Sequence, residues 1–274
     1  MFNTFTNTFT YKVARIFWSI YFVLTIGIVG IICGYFLTFF VFFMAFLLSP
    51  WSWLSEKIYH LAEDIQCLSI RMLLRMQPWL KCRTNFPSVV GFYRQFSHRR
   101  IVFVANHRSN FDTFLMISYV PGLRGLAKST LFYNVFFAPF MWVAGFIPVH
   151  KGSPESFLEG LNLLKEKVLE RNRAVLVFPE NTRCEKNFAG IQKFSGAFFS
   201  LAMKADAVIV PVVIDASDQV LGKGDLLLRP CHQVRIQMLA PIEARQYSDF
   251  VELKESIWRQ MNEVLATFRK EVSA

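Results

Sequence analysis

The chain has 274 residues, of which 53% are hydrophobic, and its 30 Lys and Arg residues against 20 Asp and Glu residues give a net charge of +10. This length suffices for one domain with a substantial core plus a membrane segment, and the apolar excess is typical of a membrane-associated protein. The positive charge predicts attraction to membrane lipids with anionic headgroups, whereas no zinc-finger spacing, RNA-binding signature or dense basic run supports a nucleic-acid partner.

The N-terminal part contains a long apolar block. No charged residue occurs from Ile16 to Leu48, so we predict a membrane-embedded helical segment that forms an anchor over residues 1–54. As one helix the block would be about 50 Å long, against a hydrocarbon core of about 30 Å, so it must tilt or fold back. Glycines near its middle offer a break point. Two forms are therefore open, one long tilted helix and a re-entrant hairpin.

Residues 55–100 are predicted to be an amphipathic helix followed by a connector. Apolar residues recur at helical spacing from Ser55 to Met76, which is typical of an amphipathic helix. Trp51 and Trp53 precede it, at a place where aromatic residues favour a membrane interface. Lying on the membrane and packing on the rest of the protein both remain open for this helix.

From residue 101 onward, short apolar runs alternate with helical stretches. The pattern predicts strands at 101–105, 125–127, 174–178, 209–214 and 234–239, and helices near 112–118, 153–170, 197–204 and 249–272. We therefore expect an α/β domain over residues 101–274, with a mixed sheet flanked by helices. The five cysteines contain no CxxC pair and predict no disulfide framework, which favours a reducing compartment.

A first polar cluster, NHRSNFD at residues 106–112, follows the predicted strand at 101–105. A neutral imidazole can take a proton from an alcohol, and a carboxylate bonded to its other nitrogen would stabilise the imidazolium that forms. His107 and Asp112 are therefore candidates for a general base and its partner. Taken alone, the same two residues also fit a surface histidine beside a helix-capping aspartate.

A second polar cluster, FPENTR at residues 178–183, also follows an apolar strand. Glu180, Thr182 and Arg183 place a carboxylate, a hydroxyl and a guanidinium within four residues, which suits a polar ligand, and Arg matches phosphate geometry. An ordinary capped turn is the alternative, because Pro, Asn and Thr are common turn residues.

Two further segments change the weight of these clusters. GFIPVHK at residues 145–151 lies between them, and VIVPVVI at 208–214 follows them. In this order the four segments resemble the four motifs of the glycerophospholipid acyltransferase family, whose best-known members are the 1-acylglycerol-3-phosphate acyltransferases. The resemblance covers residues 101–214, and the combination of His, four residues and Asp with FPExTR is specific.

The resemblance implies roles for individual residues. His107 would be the catalytic base and Asp112 its partner in a direct transfer with no acyl-enzyme. Glu180 and Arg183 would bind the glycerol phosphate region of the acceptor, and Lys151 would supply a second phosphate-binding cation. Lys128 aligns loosely with a lysine of the family. The chain departs from the common pattern at Lys151, where Arg is usual, and at Asn181, where Gly is usual.

The function implied is acylation of 1-acylglycerol-3-phosphate to phosphatidic acid, with acyl-coenzyme A or acyl carrier protein as donor. The alternatives are a different lysolipid acceptor, such as another lysophospholipid or a lyso-aminolipid, hydrolysis of the thioester, and an inactive lipid-binding membrane adaptor. We expect no cofactor and no metal, because the five histidines form no ligand spacing with Cys or carboxylates. The catalytic domain is expected at the membrane, facing the cytoplasm.

Overall fold

The computed structural model describes residues 9–96, 99–135, 137–169, 172–185, 188–230 and 232–273. Residues 1–8 of the predicted anchor, and Cys231, lie outside these ranges. The helices within them are α1 Phe9–Leu47, α2 Ser52–Arg75, α3 Val89–Phe96, α4 Phe111–Ile117, α5 Ala138–Val143, α6 Pro154–Lys167, α7 Ala197–Lys204, α8 Ser217–Leu221 and α9 Phe250–Ser273. The strands are β1 Leu80–Thr84, β2 Ile101–Ala105, β3 Arg124–Lys128, β4 Ile147–Val149, β5 Ala174–Val177, β6 Val208–Asp215, β7 His232–Met238 and β8 Ile242–Glu243.

The strands form a single mixed sheet in the order β1-β7-β6-β2-β5-β3-β4, with β8 paired to β6. Neighbouring strands run parallel, except that β6 is antiparallel to both β7 and β8. All five residues of the central strand β2 are buried, because helices cover both faces of the sheet. The predicted α/β class, with a mixed sheet flanked by helices, is therefore confirmed.

Two hydrophobic cores lie on opposite faces of the sheet. One contains Phe103 of β2 and side chains from α2, α3 and α4, such as Leu74 and Leu115. The other contains Val102 of β2 and side chains from α6, α7 and α9. Alternation along β2 sends successive side chains to opposite cores, so this strand and its C-terminal loop are fixed from both sides.

Helix α1 is a single continuous helix of 39 residues, about 58 Å long. The glycines that offered a break point lie inside this continuous helix, so of the two forms left open by the sequence the structure has the single long helix and not the hairpin. At Gly34 an added Cβ would lie 3.3 Å from both Pro139 and Phe140, so this glycine lets α5 approach the helix closely. Among the described residues, no helix has both the length and the apolar character required to cross a membrane.

Helix α1 also packs on the α/β domain. Trp18 and Phe22 lie against the core formed with α2 to α4. The Arg15 guanidinium donates to the carbonyl oxygens of Leu227 and Leu228, at 3.0 and 3.1 Å. The helix is therefore attached along part of its length by both apolar and polar contacts.

Helix α2 packs on the rest of the protein, which is one of the two arrangements left open by the sequence, and it also exposes apolar residues. One face is buried against the domain, with Cys67, Ile70 and Leu73 among its contacts. The opposite face carries a stripe of exposed apolar residues at helical spacing: Leu61, Ile65, Leu68, Met72 and Met76. The connector predicted to follow it also contains β1 and α3, so the sheet begins before residue 101.

Candidate active site

The neighbouring parallel strands β2 and β5 bring the two polar clusters together, because their C-terminal ends meet at one edge of the sheet. The loop after β2 is first tied to β6. The Asn106 side chain donates to the Ile214 carbonyl at 2.8 Å and accepts from its N–H at 2.7 Å. His107 is the next residue, so the hydrogen bonds between Asn106 and the buried strand β6 fix the position of its backbone.

His107 and Asp112 have the geometry expected for a base and its partner. His107 Nδ1 lies 3.0 Å from Asp112 Oδ2, and the carboxylate is fully buried. An ionised carboxylate accepts hydrogen bonds, so this contact assigns the proton to Nδ1 and leaves Nε2 with a lone pair. The imidazole is therefore oriented and in the tautomer that can accept a proton at Nε2.

The same carboxylate oxygen also fixes the conformation of the loop after β2, which carries His107. Asp112 Oδ2 also accepts the backbone N–H groups of Arg108 and Ser109, each at 2.7 Å. Ser109 Oγ accepts the N–H of Phe111 and donates to the Leu221 carbonyl. The Ser109 hydroxyl is thus used in hydrogen bonds to the backbone. Asp112 Oδ1 is buried and has no partner among the described residues.

Phe178 packs against the face of the His107 imidazole. The two rings are 4.2 Å apart between centroids and inclined by 20°. This stacking restricts rotation of His107 about its side-chain bonds. The sequence placed Phe178 in a motif without giving it a role, because a stacking partner depends on the register between β2 and β5.

Glu180 fastens the second loop to the first. Its Oε1 accepts the His107 N–H at 2.6 Å and its Oε2 accepts the Gln192 N–H at 3.0 Å. Burial raises the pKa of this carboxyl, and the N–H groups of His107 and Gln192 offset the effect in part. The predicted acceptor-binding carboxylate is thus occupied on both oxygens by the protein backbone.

Arg108 is a further residue of this edge to which the sequence gave no role. Its guanidinium forms a two-pronged contact with Asp218 of α8, at 2.9 and 3.0 Å, and also donates to the Phe188 and Gly190 carbonyls. The side chain is 4% exposed. Arg108 therefore connects the loop after β2 to α8 and to the segment that precedes α7.

A cavity of about 490 Å³ opens beside His107. Its walls are mainly apolar and come from both sides of β3, with Phe114, Leu131, Met141 and Phe146 among them. Lys128 and Asn181 also line it. This volume lies within the usual range for small-molecule sites, about 300 to 1,000 Å³, and apolar walls with a few polar groups are typical of such sites.

The predicted acceptor-binding residues lie at the same sheet edge but are spread apart. Lys128 shares the cavity with His107, whereas Lys151, Thr182 and Arg183 do not line it. Lys151 follows β4, which pairs with β3 in parallel, so both lysines lie at the C-terminal ends of neighbouring strands. Lys128, Lys151 and Thr182 are exposed and Arg183 is half-buried.

Asn181 has a φ of 57°, in the left-handed region. A glycine is usual at this position of the motif, and Asn is one of the residues that best tolerates such a backbone. The turn that carries Thr182 and Arg183 therefore has its left-handed residue at the position where glycine is usual. Within the described ranges, no group of three or more His, Cys, Asp or Glu side chains is placed to hold a metal ion.

Comparison with known proteins gives consistent matches. A family model described as Acyltransferase matches residues 83–215. A 1-acyl-sn-glycerol-3-phosphate acyltransferase from Saccharomyces cerevisiae is 31% identical over 166 residues, which cover 60% of this chain and 55% of the relative. One from Haemophilus influenzae is 28% identical over 151 residues, covering 54% and 60%. The chain thus spans little more than half the length of these curated relatives.

The fold has a solved counterpart. The crystal structure of the 1-acyl-sn-glycerophosphate (LPA) acyltransferase PlsC from Thermotoga maritima superposes with a TM-score of 0.74 and 18% identity. The superposition covers 94% of this chain and 97% of that structure, so it includes the N-terminal helices as well as the sheet. At this identity the likeness establishes the fold.

Proposed function

Because the resemblance to the glycerophospholipid acyltransferase family is confirmed by these matches, we propose that this acyltransferase-like enzyme acylates 1-acylglycerol-3-phosphate to phosphatidic acid. The acyl donor is a thioester of coenzyme A or acyl carrier protein. The observation that carries the proposal is the His107–Asp112 pair beside an apolar cavity. The acceptor class is that of the 1-acyl-sn-glycerol-3-phosphate acyltransferases to which the chain is similar.

The reaction needs one proton shuttle. As the acceptor hydroxyl oxygen attacks the thioester carbonyl carbon, His107 Nε2 takes the hydroxyl proton. The new C–O bond gives a tetrahedral intermediate, which collapses with cleavage of the C–S bond. The thiolate leaves and receives the proton from the imidazolium, so the enzyme returns to its starting state without a covalent acyl-enzyme.

Asp112 supports this cycle from behind the imidazole. Its carboxylate holds Nδ1–H and stabilises the imidazolium formed when Nε2 is protonated. The N–H groups of Arg108 and Ser109 already donate to Asp112. These two N–H groups therefore serve the carboxylate and are not donors to the developing oxyanion.

For Glu180 we assign a positioning role in place of contact with the acceptor. Both carboxylate oxygens bind loop N–H groups, one of them that of His107 itself. The carboxylate thereby sets the backbone from which the imidazole projects.

The apolar cavity beside His107 suits the fatty acyl chain. A chain lying between Phe114, Met141 and Phe146 would place its carbonyl end near the imidazole, because these residues and His107 line one space. Burial of methylene groups is worth about 0.8 kcal/mol each, so such a cavity supplies much of the donor's binding free energy.

The acceptor's phosphate is assigned to the cationic side of the edge. Lys128, Lys151 and Arg183 carry positive charge around the sheet's C-terminal end, and Thr182 adds a hydroxyl donor. An ammonium at Lys151 offers a point charge where the family's usual guanidinium offers a planar fork. The proposal therefore keeps a phosphate at this position but does not require two-pronged recognition by Lys151.

Contact with the membrane is assigned to α1. Its outward surface is rich in exposed aromatic residues, including Phe36, Phe39, Phe42 and Phe46. Such a continuous apolar surface marks a membrane or protein contact, and the lipid substrates favour the membrane. The cytoplasmic orientation of the catalytic domain remains a prediction.

The test is an acceptor panel. Purified full-length protein in detergent receives acyl-coenzyme A or acyl carrier protein thioester with lysophosphatidic acid or other lysolipids, and mass spectrometry identifies the products. Phosphatidic acid from lysophosphatidic acid is expected. A different acylated lipid would move the acceptor assignment, free fatty acid without acceptor would indicate a hydrolase, and no turnover would favour the lipid-binding adaptor.

A further inference from the structure

A second cavity, of about 400 Å³, lies between the C-terminal turns of α2 and the edge strand β1. The polar residues that line it are Arg71, Arg75, Thr84, Ser88, Ser118 and Tyr119. It is separate from the His107 cavity, with which it shares no lining residue. We propose that this cavity is an anion site that binds a phosphate group.

Arg71 is held firmly at the wall of this cavity. Its Nε donates to the Ser118 carbonyl at 2.7 Å, and its guanidinium carbon lies 5.1 Å from the centre of the Tyr119 ring. Nη2 is buried and has no hydrogen-bond partner among the described residues. A guanidinium fixed in this way has lost water without gaining an acidic partner, so a nearby anion would offset an unfavourable charge.

Arg75 adds a second charge one helical turn further on. Positions four apart lie on the same side of a helix, so Arg71 and Arg75 face one cavity. No Asp or Glu lines it, and neither arginine forms an ion pair within the described part of the chain. The Tyr93 hydroxyl donates a hydrogen bond to the carboxylate of the nearby Asp64 at 2.7 Å.

Two side-chain hydroxyl groups also line this cavity. Thr84 Oγ1 accepts the Phe86 N–H and Ser88 Oγ accepts the Gly91 N–H, each at 3.1 Å. Each hydroxyl therefore still has its own hydrogen to donate. Two guanidinium groups and two hydroxyl groups match the acceptor oxygens of a phosphate.

A third cavity shows why this charge balance matters. That space, about 590 Å³, is lined by five cations and three acids. Each of its cations has an acidic partner: Arg108 with Asp218, Lys223 with Glu185, Arg229 with Asp225, Arg235 with Glu271 and Arg269 with Asp215. Its charge is balanced, whereas that of the α2–β1 cavity is not.

Two sources could supply the phosphate. The exposed apolar stripe of α2 includes Met72 and Met76, beside Arg71 and Arg75 in the sequence, so a phospholipid headgroup at a membrane surface would meet both kinds of residue. Inorganic phosphate or a soluble phosphate ester would use the arginines and hydroxyls alone.

The test measures binding of two probes to full-length protein in detergent or added to vesicles. Inorganic phosphate is titrated by calorimetry, and flotation compares phosphatidylcholine vesicles with and without phosphatidylglycerol. Arg75→Gln removes an exposed charge and should weaken binding of at least one probe by about fivefold. The matched control, Arg259→Gln, changes an exposed arginine on α9 on the other face of the sheet and should leave both unchanged.

The response of Arg75→Gln also identifies the source of the phosphate. A loss confined to phosphatidylglycerol vesicles assigns a lipid headgroup, and a loss of inorganic phosphate binding assigns a soluble ligand. Arg71→Lys, which keeps the charge but loses the fork, should weaken the same probe. Acyl transfer in detergent should persist in Arg75→Gln, which separates this site from the catalytic proposal. Equal binding of both probes by Arg75→Gln and Arg259→Gln would overturn the anion site.

Discussion

Two buried glutamates lie at opposite edges of the sheet and have opposite character. Glu63, on α2, pairs at the N-terminal edge with Arg124 at 2.6 Å and with Arg173, and contacts His60. Burial raises its pKa, but the His60 hydrogen bond and the two arginines outweigh burial, so the pKa lies below its ordinary value. Glu180, at the C-terminal edge, has a raised pKa because burial prevails.

The difference shows how one residue type serves two purposes. At the N-terminal edge the buried charge is balanced by cations and fastens α2 to the sheet. At the C-terminal edge the carboxylate binds backbone N–H groups and keeps a negative charge beside His107. A charge that is costly to bury and adjoins a reactive imidazole is typical of functional sites.

The largest expected effect is on the rate of acyl transfer, through a substitution at the C-terminal edge of the sheet. Asp112→Asn should lower the acyl-transfer rate by about 100 to 10,000-fold, because an amide cannot hold both the Nδ1–H tautomer and the two loop N–H groups. Steady-state rates check this. The control is Asp206→Asn, an exposed position with a φ of 48° that Asn tolerates. Equal rates for the two variants would remove Asp112 from the mechanism.

The next largest effect is on stability, and it concerns Glu63 and its arginine partners at the N-terminal edge of the sheet. Glu63→Gln should destabilise the protein by about 3 kcal/mol, because it leaves two arginines without their carboxylate. Chemical denaturation measures this, with the exposed Glu159→Gln as control. Activity per folded molecule should stay unchanged. A stability equal to that of the control would show that the cluster contributes nothing.

The pH dependence of the same variant has a definite sign. A lowered folded-state pKa contributes stability that is present above the unfolded value, about 4.3, and is lost as the pH falls through the folded value. The stability advantage of the wild type over Glu63→Gln should therefore shrink as the pH drops below about 4.3. An advantage that grows on acidification would contradict the pairing.

Glu180 should behave in the opposite way. Its raised pKa means that the folded state binds the proton more tightly, so the wild type should lose stability relative to Glu180→Gln as the pH rises through that pKa. Glu180→Gln should also slow acyl transfer by about tenfold, because an amide cannot accept both of the loop N–H groups that fix the backbone of His107. Comparing stability and rate against pH checks both. Equal pH slopes for Glu63→Gln and Glu180→Gln would abolish the contrast.

The smallest effect is expected on the exposed cations. Arg183→Ala should raise the KM for the acceptor by about fivefold and leave kcat unchanged, because a partly exposed charge contributes about 1 kcal/mol. Arg259→Ala is the matched control, since that arginine is exposed on α9. A lower kcat with an unchanged KM would place Arg183 at the reacting atoms instead.

Sequence patterns predicted the parts of the fold that are set locally. The strand at residues 101–105 was predicted with its correct bounds, because five apolar residues precede a polar loop. The strands β1 and β4 were not predicted. LKCRT lacks a regular apolar pattern and gains its order by pairing with β7, about 150 residues later, and β4 has three residues with a proline in the middle.

The active-site residues also divide into those whose contacts the sequence could predict and those whose contacts it could not. His107 lies in the loop after β2 and Asp112 in the first turn of α4, five residues later, so their pairing follows from spacing. The ring of Phe178 and the carboxylate of Glu180 reach His107 through the register of β2 and β5, which the two sequence segments do not contain. Glu180 was therefore interpreted as a substrate ligand, whereas its contacts are those of a positioning residue.

The central claim is that His107 Nε2 takes the acceptor's proton. The most direct test compares the rate of phosphatidic acid formation by the wild type and by His107→Ala, with folding of both checked by thermal melting. We expect a folded variant with a rate about 100 to 10,000-fold lower. A folded His107→Ala protein that forms phosphatidic acid at a rate close to that of the wild type would contradict the mechanism.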